Sequence, residues 1–142
     1  MKRGRVIYVV IFFLFLFCTG AEHLSQTSPL DRLIIGTGDK NSCLIDAAVC
    51  QAVYNQHYRM QKFYWIKIMV IRYNDENGES SVPKCHAVCV YKLVLNGNEK
   101  LFVYDYAHGS IQVPIEFIDS PLSIVFYIYK GTTNIKNAWY VN

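Results

Sequence analysis

The stretch Asn41-Ser42-Cys43-Leu44-Ile45-Asp46-Ala47-Ala48 sets a cysteine where a polar loop turns into an apolar helix. The preceding Gly36-Thr37-Gly38-Asp39-Lys40-Asn41 has the chemistry of a loop. Asn41 or Ser42 carries a side-chain oxygen suited to accept a free N–H of the first helical turn. Ile45, Ala48, Val49, Ala52 and Val53 then recur at helical spacing and predict a core-facing stripe. The helix is expected to end near Tyr58 to Gln61. His57 falls at its C-terminus, where a cation suits the dipole. Asp46, one turn after the cysteine, reads as part of a solvated face.

Strand patterns follow this helix, which must therefore pack on a sheet. Phe63 to Tyr73 is rich in aromatic and β-branched residues, and Asn74 to Glu79 is a polar connection. Cys85 to Leu95 and Lys100 to Tyr106 flank Asn96-Gly97, a strong two-residue hairpin signal. Ala107-His108-Gly109-Ser110 turns the chain again, and His108 reads as a loop residue. Ile111 to Phe117 and Leu122 to Lys130 are two further strand candidates. Gly131 to Asn142 reads as a polar tail closing on Trp139 and Tyr140. One helix followed by antiparallel strands is an α+β arrangement.

The N-terminus reads as a targeting segment. Met1-Lys2-Arg3-Gly4-Arg5 is a positive n-region, Val6 to Phe17 is an unbroken apolar run of 12 residues, and Cys18-Thr19-Gly20-Ala21 supplies small residues. A secretory signal peptide over residues 1–20 is expected, cleaved after Gly20 or Ala21. The run is short of the roughly 20 residues that span a bilayer, and bulky Phe17 before Cys18 argues against lipidation. Residues 21–35 read as a leader, with a short strand or turn from Asp31 to Ile35, and 36–142 as one domain. Loss of Lys2, Arg3 and Arg5 leaves 11 basic against 11 acidic residues and no net charge. The composition then gives no reason to expect nucleic acid or a membrane surface as a partner.

Cys43, Cys50, Cys85 and Cys89 remain in the exported part. A reactive Cys43 leaves room for one disulfide among the others, Cys50 with Cys85 or Cys89 being natural. A helix N-terminus and a nearby imidazolium both favour the nucleophilic thiolate. Cys43 has that position, whereas Cys50 is mid-helix and reads as packing. Strand alternation puts His86 with Val88 and Val90 on one face, and Cys85, Ala87, Cys89 and Tyr91 on the other. The first face is expected to pack on the helix, so that His86 emerges beside Cys43. Across the hairpin, Leu101, Val103 and Asp105 share a face, and Asp105 falls opposite the early part of the strand that carries His86. A nucleophile, a base and a group that orients the base are thereby within reach of one another. His86 points away from both Cys85 and Cys89, so no metal site is expected.

Cys43-Leu44-Ile45-Asp46-Ala47-Ala48, Cys85-His86-Ala87-Val88 and Phe102-Val103-Tyr104-Asp105 resemble the three motifs of the transglutaminase-like and papain-like cysteine hydrolases, in particular compact bacterial members. The resemblance spans Gly36 to Glu116. It implies a helix bearing the nucleophile, packed on an antiparallel sheet or half-barrel. It also implies acyl transfer from an amide through a thioester, with Cys43 as nucleophile, His86 as base and Asp105 as orienter. A peptide or protein would be the substrate, and no cofactor would be required. An inactive relative serving as an exported binding or inhibitory module is the alternative. Ser42 and Cys85 stand where many members have Gly or Asp before the Cys and Gly before the His. No Gln lies between Gln26 and Cys43, so Asn41 or helix N–H groups would have to serve as oxyanion donors.

Overall fold

The computed structural model describes residues 28–34, 42–74, 83–130 and 134–141. The expected signal peptide, the connection after Asn74 and the candidate oxyanion donor Asn41 lie outside the described residues.

The fold is α+β. Helix α1 (Cys43–Tyr58) is followed by strands β1 (Ile66–Tyr73), β2 (Lys84–Leu95), β3 (Asn98–Asp105) and β4 (Gly109–Val113). A second helix, α2 (Pro121–Ile128), and strand β5 (Ile135–Val141) complete the chain. The strands form one antiparallel sheet in the order β4-β3-β2-β1-β5. At the β2–β3 turn Asn96 has φ 53° and Gly97 φ 80°. Two consecutive positive φ values are what a type I′ turn requires, and Asn-Gly is the pair that tolerates them. The turn fixes a register that runs from Leu95 opposite Asn98 to Cys89 opposite Tyr104.

Both faces of the sheet are covered. On one side Ala87, Cys89, Tyr91, Leu93, Phe102 and Tyr104 pack against α1. On the other, Met69, Ile71, Val88, Val90, Leu101 and Val103 pack against Ile124 and Val125 of α2. This corrects the expectation that the Val88 and Val90 face meets the first helix. A strand buried on both faces is apolar throughout, so its alternation does not tell which face takes which helix.

The buried side of α1 is also rotated from the expected stripe. Asp46, Ala47, Cys50 and Tyr54 are buried, while Ile45 is 57% exposed. Small Ala47 and Cys50 let the helix approach an aromatic sheet surface. Tyr54 locks it there, with its hydroxyl donating to the Lys92 carbonyl at 2.6 Å and its ring 5.5 Å from that of Tyr91. The side bearing Tyr54, not the Ile and Val stripe, turns inward, because Tyr54 has more area to bury.

The second half of the chain departs further from expectation. Leu122 to Lys130, read as a strand, falls largely within helix α2. Pro121 opens this helix, where a missing N–H costs nothing, and Ile124, Val125 and Ile128 form its inner face. The strand expected over Ile111 to Phe117 stops at Val113. Pro114 follows, and a 3-10 turn takes Ile115–Phe117. The expected tail instead supplies β5, which pairs with β1 from Ile68–Val141 to Tyr73–Ile135.

Residues 28–34 belong to the domain rather than to a leader. Pro29–Arg32 form a 3-10 turn capped by Ser28, whose Oγ accepts from the Leu30 N–H at 3.2 Å. Leu30 is fully buried, Asp31 Oδ1 accepts from the Ser110 N–H at 3.0 Å, and the Tyr91 hydroxyl donates to Ser28 Oγ at 2.7 Å. Among the described residues no helix is long and apolar enough to cross a membrane.

Candidate active site

Cys43 is the first residue of α1 and is half-buried. Ser42 occupies the N-cap position but makes no side-chain bond to the helix backbone. Its hydroxyl instead donates to Asp46 Oδ2 at 2.7 Å, and both residues are buried. This corrects the solvated reading of Asp46, whose carboxylate ties down the residue that leads into Cys43. The Asp46 N–H bonds the Ser42 carbonyl at 2.9 Å. The N–H groups of Cys43, Leu44 and Ile45 precede that first rung of the helical ladder.

His86 stands near the start of β2, paired with Ile71 of β1. The β2–β3 ladder begins only at Cys89–Tyr104. At the open end of that ladder His86 Nε2 lies 3.2 Å from Asp105 Oδ2. Cys43 lies close enough to the same imidazole to add to the rise of its pKa. With Nε2 committed to the carboxylate, Nδ1 is the nitrogen left for the sulfur. The three residues singled out in the sequence thus come together, although by a route other than the expected one. His86 and Asp105 share the α2 side of the sheet with Val88, Val90, Leu101 and Val103, whereas Cys43 packs against the cluster on the α1 side.

Asp105 is buried and heavily bonded. Its Oδ1 accepts from the Ala107 N–H at 3.1 Å, so it also caps the following turn. Its Oδ2 accepts from the Tyr129 hydroxyl at 2.7 Å and lies 3.4 Å from His108 Nδ1. Burial alone would raise the Asp105 carboxyl pKa. The hydrogen bonds from His86, Tyr129 and Ala107 outweigh it and hold the group well below the usual carboxylate range. His86 is pushed above its ordinary value, chiefly by its hydrogen bond to Asp105, with burial opposing and Cys43 adding to the rise. Burial, and then the bond to Asp105, push the Tyr129 hydroxyl up, so it stays a donor.

Tyr129 was not legible as a site residue. It lies 24 residues beyond Asp105 in the chain, and only the path of α2 brings it back. His108, expected on the surface, is exposed as read but also meets Asp105. Its adjacency to the turn after Asp105 was the available signal. An i, i+4 spacing was the available signal for the Ser42–Asp46 pair.

A cavity of about 220 Å³ opens beside the pair, lined by Ile71, Tyr73, His86, Asp105, Tyr129 and Ile135. The other cysteines are separate from this chemistry. All four are free thiols, which corrects the expected bridge. Cys50 and Cys89 are fully buried in the core on the α1 side, as packing residues are, and burial pushes the Cys89 thiol up. Cys85 is exposed. Among the described residues no cluster of three or more His, Cys, Asp or Glu side chains is placed to hold a metal ion. No family model, no curated protein and no solved structure matches this chain.

Proposed function

We propose that this protein is an exported thiol hydrolase or acyltransferase of the transglutaminase-like or papain-like kind, acting on peptide or isopeptide amides. The observation that carries the reading is a single imidazole bonded to Asp105 through Nε2 at 3.2 Å, with Cys43, the first residue of a helix, close enough to influence it. That is the order of contacts an activated thiol requires.

In this reading His86 takes the thiol proton and the Cys43 sulfur attacks the amide carbonyl. The tetrahedral oxyanion is met by N–H groups at the start of α1. The C–N bond then breaks as His86 returns the proton to the departing amine, leaving a thioester on Cys43. Water or a second amine attacks the thioester, gives a proton to His86, and frees the sulfur, which recovers that proton. Asp105 positions the imidazole and stabilises its charged form. Tyr129 in turn holds Asp105. Export rests on the positive n-region and apolar run of residues 1–20.

The test is the rate of iodoacetamide alkylation of Cys43 between about pH 5 and 8. Cys43 should react faster than a free cysteine toward the acid end of that range, and His86→Ala should abolish the difference. Alkylation of Cys43 at the rate of a free thiol throughout would overturn the reading and leave the alternative of an inert binding module on the same fold.

A further inference from the structure

The cavity beside His86 has a place in the proposed reaction, and the inference drawn from it rests on that reading. To receive a proton from His86, the departing amine must sit between the Cys43 sulfur and the imidazole. The amine half of the substrate therefore runs along His86, away from the acyl group on sulfur. The cavity lies against that same imidazole: His86 forms one wall of it, and Cys43 is not a lining residue. Ile71, Ile135 and the tyrosine rings make the rest of the lining mainly apolar, and Asp105 closes it at a polar end. An apolar cavity of about 150 Å³ holds one benzene. The 220 Å³ here accommodates a single aromatic or branched aliphatic side chain. The buried Asp105 carboxylate works against an acidic one.

We infer that this cavity selects the amine component. The residue on the C-terminal side of the cleaved amide, or the acceptor amine in acyl transfer, presents an aromatic or branched aliphatic side chain to Ile71, Tyr73, Tyr129 and Ile135. In transfer the amine nitrogen bonds the acyl carbon and the thioester C–S bond breaks. The amine proton passes to His86 and from it to the Cys43 sulfur, with no change of oxidation state.

The experiment acylates the full exported chain with p-nitrophenyl acetate and lets the acyl-enzyme partition between water and an added amine. Phenylalaninamide and leucinamide should capture the acetyl group at concentrations about 10- to 100-fold lower than glycinamide, the range expected for burying one large apolar side chain. Ile135→Trp, which fills the cavity, should bring that ratio toward one. Ile135→Ala should shift preference toward tryptophanamide. Equal capture of phenylalaninamide and glycinamide by the wild-type acyl-enzyme overturns the inference. A second measurement needs no thioester: the His86 ring resonances of Cys43→Ala are followed by NMR as each amide is added. A shift with phenylalaninamide and none with glycinamide supports the cavity assignment even if no acyl-enzyme forms, in which case the proposed function alone fails. Absence of any phenylalaninamide shift overturns the assignment.

Discussion

The Tyr129 hydroxyl lies 2.7 Å from Asp105 Oδ2, nearer than either imidazole that faces the same oxygen. A residue just past the C-terminal end of α2 is therefore the closest side-chain donor to the carboxylate that bonds His86. Tyr129→Phe keeps the ring and removes the donor. Loss of a hydrogen bond to a charged group should cost about 1.5–3 kcal/mol, read from urea unfolding. With fewer donors sharing Oδ2, the His86 ring should titrate at still higher pH by NMR. A ring titration that does not move would show that Tyr129 only packs.

The His86–Asp105 pair predicts a stability profile with two limits. His86 is raised above 6.5, first by its bond to Asp105 and against burial. Its contribution is full below that value and is lost as pH rises through the raised folded pKa. Asp105 is depressed below 3.8, because the bonds from His86, Tyr129 and Ala107 overcome burial. Its contribution is full above 3.8 and is lost as pH falls through the depressed folded pKa. The stability difference between wild type and Asp105→Asn should therefore peak between about pH 4 and 6.5 and shrink on both sides. A difference that is flat with pH in urea titrations would mean the pair does not titrate with folding.

Thiol counting separates the four described cysteines, Cys43, Cys50, Cys85 and Cys89. In the native protein Cys85 and Cys43 should react with an aromatic disulfide reagent, Cys85 by exposure and Cys43 by position. Cys50 and Cys89 are fully buried and should react only after unfolding without reductant. If these two fail to react even when unfolded, they are bridged and the free-thiol core is wrong.

Leu30 tests where the domain begins. It is fully buried against the α1 side of the sheet, in a turn held by Ser28, Asp31 and Ser110. Leu30→Ala should cost about 2–5 kcal/mol, as core leucine truncations do. A change below about 0.5 kcal/mol, typical of surface positions, would return this segment to the status of a leader.

Local rules carried the sequence reading where structure is local. The Asn96-Gly97 turn and the strands that flank it follow from turn chemistry within a few residues, and α1 starts where the polar loop gives way to the apolar run, although Ser42 does not cap it through its side chain. Cys43, His86 and Asp105 each sit at or near the end of such an element, which is what made them legible as candidates. Tyr129 and the cavity were beyond reach, since both depend on α2 folding back over the sheet. That helix was hidden by β-branched and aromatic residues, which favour strands until a face of the sheet needs covering. The rotated stripe of α1 has the same origin, because the partner surface decided which side of the helix was buried.

The two-residue turn at Asn96-Gly97 lies far along the hairpin from the imidazole, yet it meters the distance across the pair. Every rung from Leu95–Asn98 to Cys89–Tyr104 is counted from it, and Asp105 stands one step past the last rung. Because side chains alternate faces with a period of two, sliding β3 by one residue would carry Asp105 to the opposite side of the sheet from His86. The alignment of the imidazole with its carboxylate is thus written in the length of a loop that touches neither of them.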